Sequence, residues 1–192
     1  MHLSERQKQI ISTSIKLIAN QGIQTLTIKN IASKIGVSEP AIYRHFDSKK
    51  DILIAILDYF EDVTGNIKDQ FFNPKLSGMQ KLEAFISHRY DIFTGDPDLA
   101  KVLFNEDIFL NDELLGMKIM QIMSGHRELL IMAIRQGQSE GSIRSNTGED
   151  QLFYIIIGSM RLLVNRWCHS DFSFHLKTEG IALWNTIKTI IR

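Results

Sequence analysis

With one cysteine and three prolines in 192 residues, the chain lacks several things that would narrow its chemistry. Cys168 stands alone, so no intrachain disulfide can form, and no Cys/His group has the spacing of a zinc site. The fold must rest on packing, and the expected compartment is reducing, that is, cytoplasmic. No run of strict apolar/polar alternation lies between hairpin turn residues, so strands are not expected. Long hydrophobic runs are missing too. The densest, Leu152 to Met160, is cut off by Arg161, well short of the roughly 20 residues a bilayer requires. The opening residues Met1-His2-Leu3-Ser4-Glu5 turn polar at once and lack the apolar stretch of a secretory signal. Neither export nor a membrane partner is expected. Glycine-rich phosphate loops, HExxH patterns and serine elbows are also absent, so neither an enzyme, a metal site nor a cofactor is expected. Cys168 and His169 resemble a nucleophile and base only superficially, because neighbours on a helix point apart.

An excess of charge of one sign is missing as well: 22 lysines and arginines face 22 carboxylates. The neutral total conceals an asymmetry. Up to Leu57 the chain carries Arg6, Lys8, Lys16, Lys29, Lys34, Arg44, Lys49 and Lys50 against only Glu5, Glu39, Asp47 and Asp51, and the remainder is correspondingly acidic. A basic head on an acidic body suits a protein that meets nucleic acid at one end.

What is present is helical periodicity. Ile11, Ile15 and Ile18 form a stripe on a first helix from about Ser4 to Asn20, which Gly22 ends. Leu53, Ile56, Phe60, Val63, Ile67 and Phe71 keep helical spacing between Ser48 and Phe72, which predicts one long, rigid connector helix. Ser77 can cap a helix carrying Leu82, Phe85, Ile86 and Phe93. Asp96-Pro97 starts another, and Asn111 a longer one that runs to the Gly137–Gly148 loop. Two helices close the chain, at about Glu149 to His169 and Ser173 to Arg192. The first is apolar nearly all round and must be covered on several sides. Gly158 and Gly180 lie inside these two; each is either a point of close helix approach or a tolerated defect.

The densest pattern is Thr27 to Phe46. Thr27 can cap a short helix whose Ile28, Ile31, Ala32 and Ile35 face inward, and Gly36 can take the positive φ of a sharp turn. Val37 plugs the corner, Ser38 caps a second helix, and Pro40 falls in its first turn, where a missing N–H costs nothing. Ile42 and Phe46 anchor that helix, leaving Glu39, Ala41, Tyr43, Arg44 and His45 outside as a face that can enter a major groove. Ser48-Lys49-Lys50-Asp51 then reads as a capping-box start, where Lys49 and free N–H groups can meet a phosphate.

Through Thr27, Ile31, Ala32, Gly36, Val37, Ser38, Ile42, Tyr43, Phe46, Lys49 and Leu53, the segment from about residue 8 to 56 closely resembles the TetR family of transcription regulators. The resemblance implies an all-α chain. A three-helix helix-turn-helix DNA-binding domain, residues 1–47, would be joined by a long helix to a helical ligand-binding and dimerisation domain within residues 48–192. It implies an Ω-shaped homodimer, paired through the last two helices of each protomer, that binds a palindromic double-stranded operator. A small molecule in the larger domain would release it, as in a repressor. Tyr43, His45 and Lys49 would touch phosphates, and Glu39, Pro40 and Ala41 would meet bases. Lys29 or Arg44 would supply contacts to guanine or phosphate, with Thr27 and Ser38 at the two helix starts. The alternative is a helical protein-interaction module that DNA merely positions.

Candidate ligand contacts are Arg89, Phe93, Met123, His126, Tyr154 and Arg161. Arg89 is a cation on an apolar stripe; it calls for an acidic ligand or a carboxylate of the second domain. His126, between Met123 and Leu130, is either a hydrogen-bonded core histidine or a ligand contact. Met117, Met120, Met123 and Met132 share its helix, as core filler or as an adaptable pocket lining.

Overall fold

A computed structural model describes residues 3–105 and 107–192; Met1 and His2, on which part of the polar N-terminus reading falls, lie outside the described residues. Eleven α-helices and no strand occur among those residues. They are α1 (Glu5–Gln21), α2 (Ile28–Ile35), α3 (Glu39–Tyr43), α4 (Lys49–Gly65), α5 (Lys68–Phe71) and α6 (Gly78–Gly95). α7 (Pro97–Leu103), α8 (Asp107–Leu110), α9 (Glu113–Ser139), α10 (Glu149–His169) and α11 (Leu176–Ile191) follow. None of the described helices is long and apolar enough to cross a membrane.

Contacts divide the chain into two units: residues up to Asp62 with Asp98–Met120, and Val63–Pro97 with Gln121–Arg192. In the first, Ser4 caps α1 with a complete capping box, its hydroxyl accepting from the Gln7 N–H while the Gln7 side chain accepts from the Ser4 N–H. Burial of Ile10, Ile11, Ile15 and Ile18 fixes the inward face of α1, which packs against α2. The acidic side of α4 is held by charge: Lys118 Nζ lies 2.5 Å from Asp58 and 3.2 Å from Glu61, and Lys50 lies 2.7 Å from Asp112.

In the second unit α6 and α11 run antiparallel, fastened by Lys188 to Glu83 at 2.8 Å and Lys177 to Asp91 at 2.5 Å. Between these pairs Gly180 meets the Tyr90 ring so closely that a Cβ there would stand 2.3 Å from it. Gly180 is thus a point of close approach. Gly158 is not: nothing lies within 4 Å of a Cβ added there, on a side of α10 that the chain leaves exposed.

Four expectations need correction. The connector helix does not reach Phe72; α4 ends at Gly65, and α5 resumes only after Asn66 and Ile67, although Ile67 and Phe71 stay buried. α3 ends at Tyr43, so Arg44, His45 and Phe46 belong to the following turn, where the His45 and Phe46 N–H groups both donate to the Ile42 carbonyl. The residue that opens α9 is Asp112 rather than Asn111, its carboxylate accepting from the N–H groups of Leu114 and Leu115. Lastly, α11 begins at Leu176, because Asp171 and Phe172 take positive φ and turn the chain before it.

Candidate nucleic-acid interface and ligand site

The corner between α2 and α3 is built by local bonds. Thr27 Oγ1 accepts from the Asn30 N–H at 3.1 Å, and the Asn30 side chain donates to the Thr25 carbonyl at 2.8 Å. Gly36 adopts φ 77° and ψ 38°, a left-handed cap that a side chain would strain, and its N–H and that of Val37 both close on Ala32 O. Ser38 occupies the cap position of α3 without making a side-chain cap bond. Ile42, fully buried, and Phe46, 7% exposed, pin this segment to the core.

Everything expected to face a duplex is accessible. Thr27, Lys29, Ser38, Glu39, Pro40, Tyr43 and Arg44 are exposed, and Ala41, His45 and Lys49 are half-buried. Tyr43 keeps half of its surface in solvent. The face therefore offers a phenol, a guanidinium, ammonium groups and an imidazole to phosphates, and one carboxylate, Glu39, able to accept from a base edge.

Lys49 Nζ donates to the Ile23 carbonyl at 3.1 Å, a long-range bond with no signal in the sequence, and stitches the start of α4 to the turn that follows α1. Ser48 Oγ accepts from the Asp51 N–H at 3.2 Å and itself donates to the Asp51 carboxylate, so the expected capping box forms only in part.

In the second unit, α6 presents Leu82, Phe85, Ile86, Arg89 and Phe93, none more than 3% exposed. Arg89 Nη2 donates to His126 Nε2 at 3.0 Å, and its guanidinium lies 4.4 Å from the centre of the Phe85 ring. Phe85 in turn meets His126 and Phe71 edge to face. Burial lowers the Arg89 pKa to about 9. Burial first, then the charges of Arg89 and Lys68, lowers His126 to about 3. At neutral pH the imidazole is therefore neutral, accepts at Nε2 and carries its proton on Nδ1, while Arg89 keeps its charge.

Of the six candidate ligand residues, the structure brings together Arg89 and His126, with Phe93 buried on the Arg89 face and Met123 half-buried one turn before His126. Tyr154 is 65% exposed on α10, with its ring edge-on to Phe153. Arg161 is half-buried on α10, its pKa lowered by burial. Met117, Met120 and Met132 are exposed, so most of the α9 methionines do not fill the core. Tyr154 shares its side of α10 with Ile155, Gly158 and Leu162, and Leu162 is 72% exposed; Ile181 and Ile190 of α11 are exposed too.

Known proteins resemble this arrangement along most of the chain. The model described as bacterial regulatory proteins, tetR family, matches residues 10–56, and that of the YsiA-like protein C-terminal region matches residues 59–189. The fatty acid metabolism regulator protein of Bacillus subtilis is 28% identical over 188 residues, 95% of this chain and 92% of its own. The nucleoid occlusion factor SlmA of Photobacterium profundum is 23% identical over 89% of this chain and 88% of its own. The crystal structure of the transcriptional regulator FadR from Bacillus subtilis in complex with stearoyl-CoA superposes with a TM-score of 0.81. It is 24% identical, covering 96% of this chain and 99% of that one.

Proposed function

The chain belongs to the TetR family of bacterial regulatory proteins and is a DNA-binding transcription regulator, and from that premise we propose that it is a ligand-responsive repressor. Two protomers bind a palindromic operator through residues 1–47, and a small molecule held within residues 48–192 releases them. The observation that carries this reading is the accessible face from Thr27 to Lys49 on a locally basic head, anchored by Ile42 and Phe46.

Tyr43, His45 and Lys49 contact phosphates, with Lys29, Arg44 and the starts at Thr27 and Ser38 beside them; Glu39, Pro40 and Ala41 meet base edges. Dimerisation through α10 and α11 is supported by the apolar side around Tyr154, Ile155, Leu162, Ile181 and Ile190. Each of these large apolar side chains keeps more than a third of its surface in water, which a partner copy would cover. An effector of fatty-acyl character is supported by the likeness to the fatty acid metabolism regulator protein of Bacillus subtilis and to the Bacillus subtilis FadR structure that holds stearoyl-CoA. Arg89, Phe93, Met123 and His126 contact it.

Selection of bound sequences from random double-stranded DNA tests the reading. An enriched inverted repeat, bound by two protomers and released by an acyl ligand, is expected. No enrichment at low salt overturns it.

A further inference from the structure

Gly158 lies in the middle of α10, where glycine is a poorer helix former than alanine. At Gly180 the missing Cβ makes room for the Tyr90 ring, but at Gly158 none of the described residues uses the space. The exposed residues of α10 are placed symmetrically about this gap. Tyr154 and Leu162, 65% and 72% exposed, stand one turn before and one turn after it. Between Gln151 and Asn165 every exposed residue of α10 is uncharged. Asp150 and Arg166, both exposed and of opposite sign, lie eight residues to either side.

We propose that Gly158 is the crossing point of an interface between two copies of this chain, in which the two α10 helices pack antiparallel with their Gly158 backbones in contact. A two-fold axis at Gly158 sets Tyr154 of each protomer against Leu162 of the other, and Asp150 of each near Arg166 of the other. The absent side chains let the backbones close until the bulky groups on either side meet. In a parallel pairing Asp150 would meet Asp150 and Arg166 would meet Arg166, so charge selects the antiparallel one. Asp150 keeps its pair with Arg127 of its own chain, and these end charges therefore fix direction more than strength. The crossing rests on the preceding reading that α10 and α11 carry the dimer, and adds where and in which direction α10 meets its copy.

Sedimentation equilibrium of the full-length protein measures the dimer, and thermal melts in the Leu162→Glu background measure the single chain. In that background Gly158→Ala should raise the melting temperature, because alanine suits an open helix position. In the otherwise wild-type chain the same substitution should loosen the dimer at least fivefold, and Gly158→Leu at least a hundredfold. A glycine that merely faced solvent would gain in both measurements. Disulfide trapping reads the direction, in chains that also carry Cys168→Ser. Gly158→Cys should link to itself on mild oxidation, whereas Tyr154→Cys should link only when mixed with Leu162→Cys. A Gly158→Leu dimer as tight as wild type, with Leu162→Glu monomeric, overturns the crossing and leaves the dimer on α10 and α11 standing. Tyr154→Cys that links to itself overturns the antiparallel direction. Wild-type protein that stays monomeric, or a Leu162→Glu chain that stays dimeric, overturns the crossing and the dimer reading together.

Discussion

Lys49, in the first turn of α4, donates from Nζ to the backbone carbonyl of Ile23 at 3.1 Å, so the connector helix is tied to the DNA-binding head by a side chain that also faces solvent. An ammonium has three donors, and one such bond leaves two for a phosphate. Lys49→Ala should therefore act twice. It should destabilise the head by ~1 kcal/mol, and it should reduce the slope of log K for DNA against log salt by about 1 per head. Lys49→Arg should restore most of the slope. Denaturant melts and salt titrations separate the two effects; a variant with normal slope removes Lys49 from the phosphate contacts.

Gly180 of α11 and Tyr90 of α6 meet at a close crossing, where an added Cβ would stand 2.3 Å from the ring. Gly180→Ala forces its methyl into the Tyr90 ring and should cost about 1–3 kcal/mol, the range of overpacked cores. Combined with Tyr90→Leu, which vacates the ring, the two costs should sum to less than their separate values, because the residues touch. Additive costs in a double-mutant cycle would contradict the crossing.

Leu162 is 72% exposed, so Leu162→Glu should leave the helical content and melting of the single chain nearly unchanged. In a dimer built on α10 and α11, however, it places a charge in a shared apolar face. Light scattering should report half the wild-type mass, with operator affinity falling in step. A variant that retains the wild-type mass moves the dimer interface elsewhere.

His126 links stability to pH with a definite sign. Its pKa falls from 6.5 to about 3 on folding, so above pH 6.5 both states are neutral and the residue contributes no slope. Below 6.5 the unfolded chain takes up a proton that the folded chain refuses, and stability is lost as pH falls toward 3, by up to about 1.4 kcal/mol per unit. His126→Gln keeps an acceptor for Arg89 without the titration. Its loss of stability between pH 7 and pH 5 should be smaller than that of wild type by up to about 2 kcal/mol. Equal losses would show that the imidazole titrates normally.

Elements whose ends are marked by their own residues were legible in the sequence. Ser4 and Gly22 bracket α1, Thr27 and Gly36 bracket α2, and the dense apolar run from Glu149 to His169 is α10 as observed. Ends chosen by competition were not. Asn111 and Asp112 are both good caps, and only the bonds from Leu114 and Leu115 show that the second one starts α9. The apolar repeat runs unbroken past Gly65, so periodicity hides the interruption between α4 and α5. The face at Tyr43 and Arg44 could be read from spacing alone. The Lys49–Ile23 and Arg89–His126 bonds could not, because they join residues 26 and 37 positions apart.

The central claim is that the face running from Lys29 to Lys49 binds duplex DNA in two copies. Fluorescence anisotropy on the selected inverted repeat, repeated between about 50 and 200 mM salt, tests it most directly. Lys29, Arg44 and Lys49 from two heads predict a slope of about −5 in log K against log salt. Tyr43→Ala should weaken binding, and two protomers should bind each repeat. Binding that ignores salt and Tyr43→Ala, or that saturates at one protomer, would contradict the account.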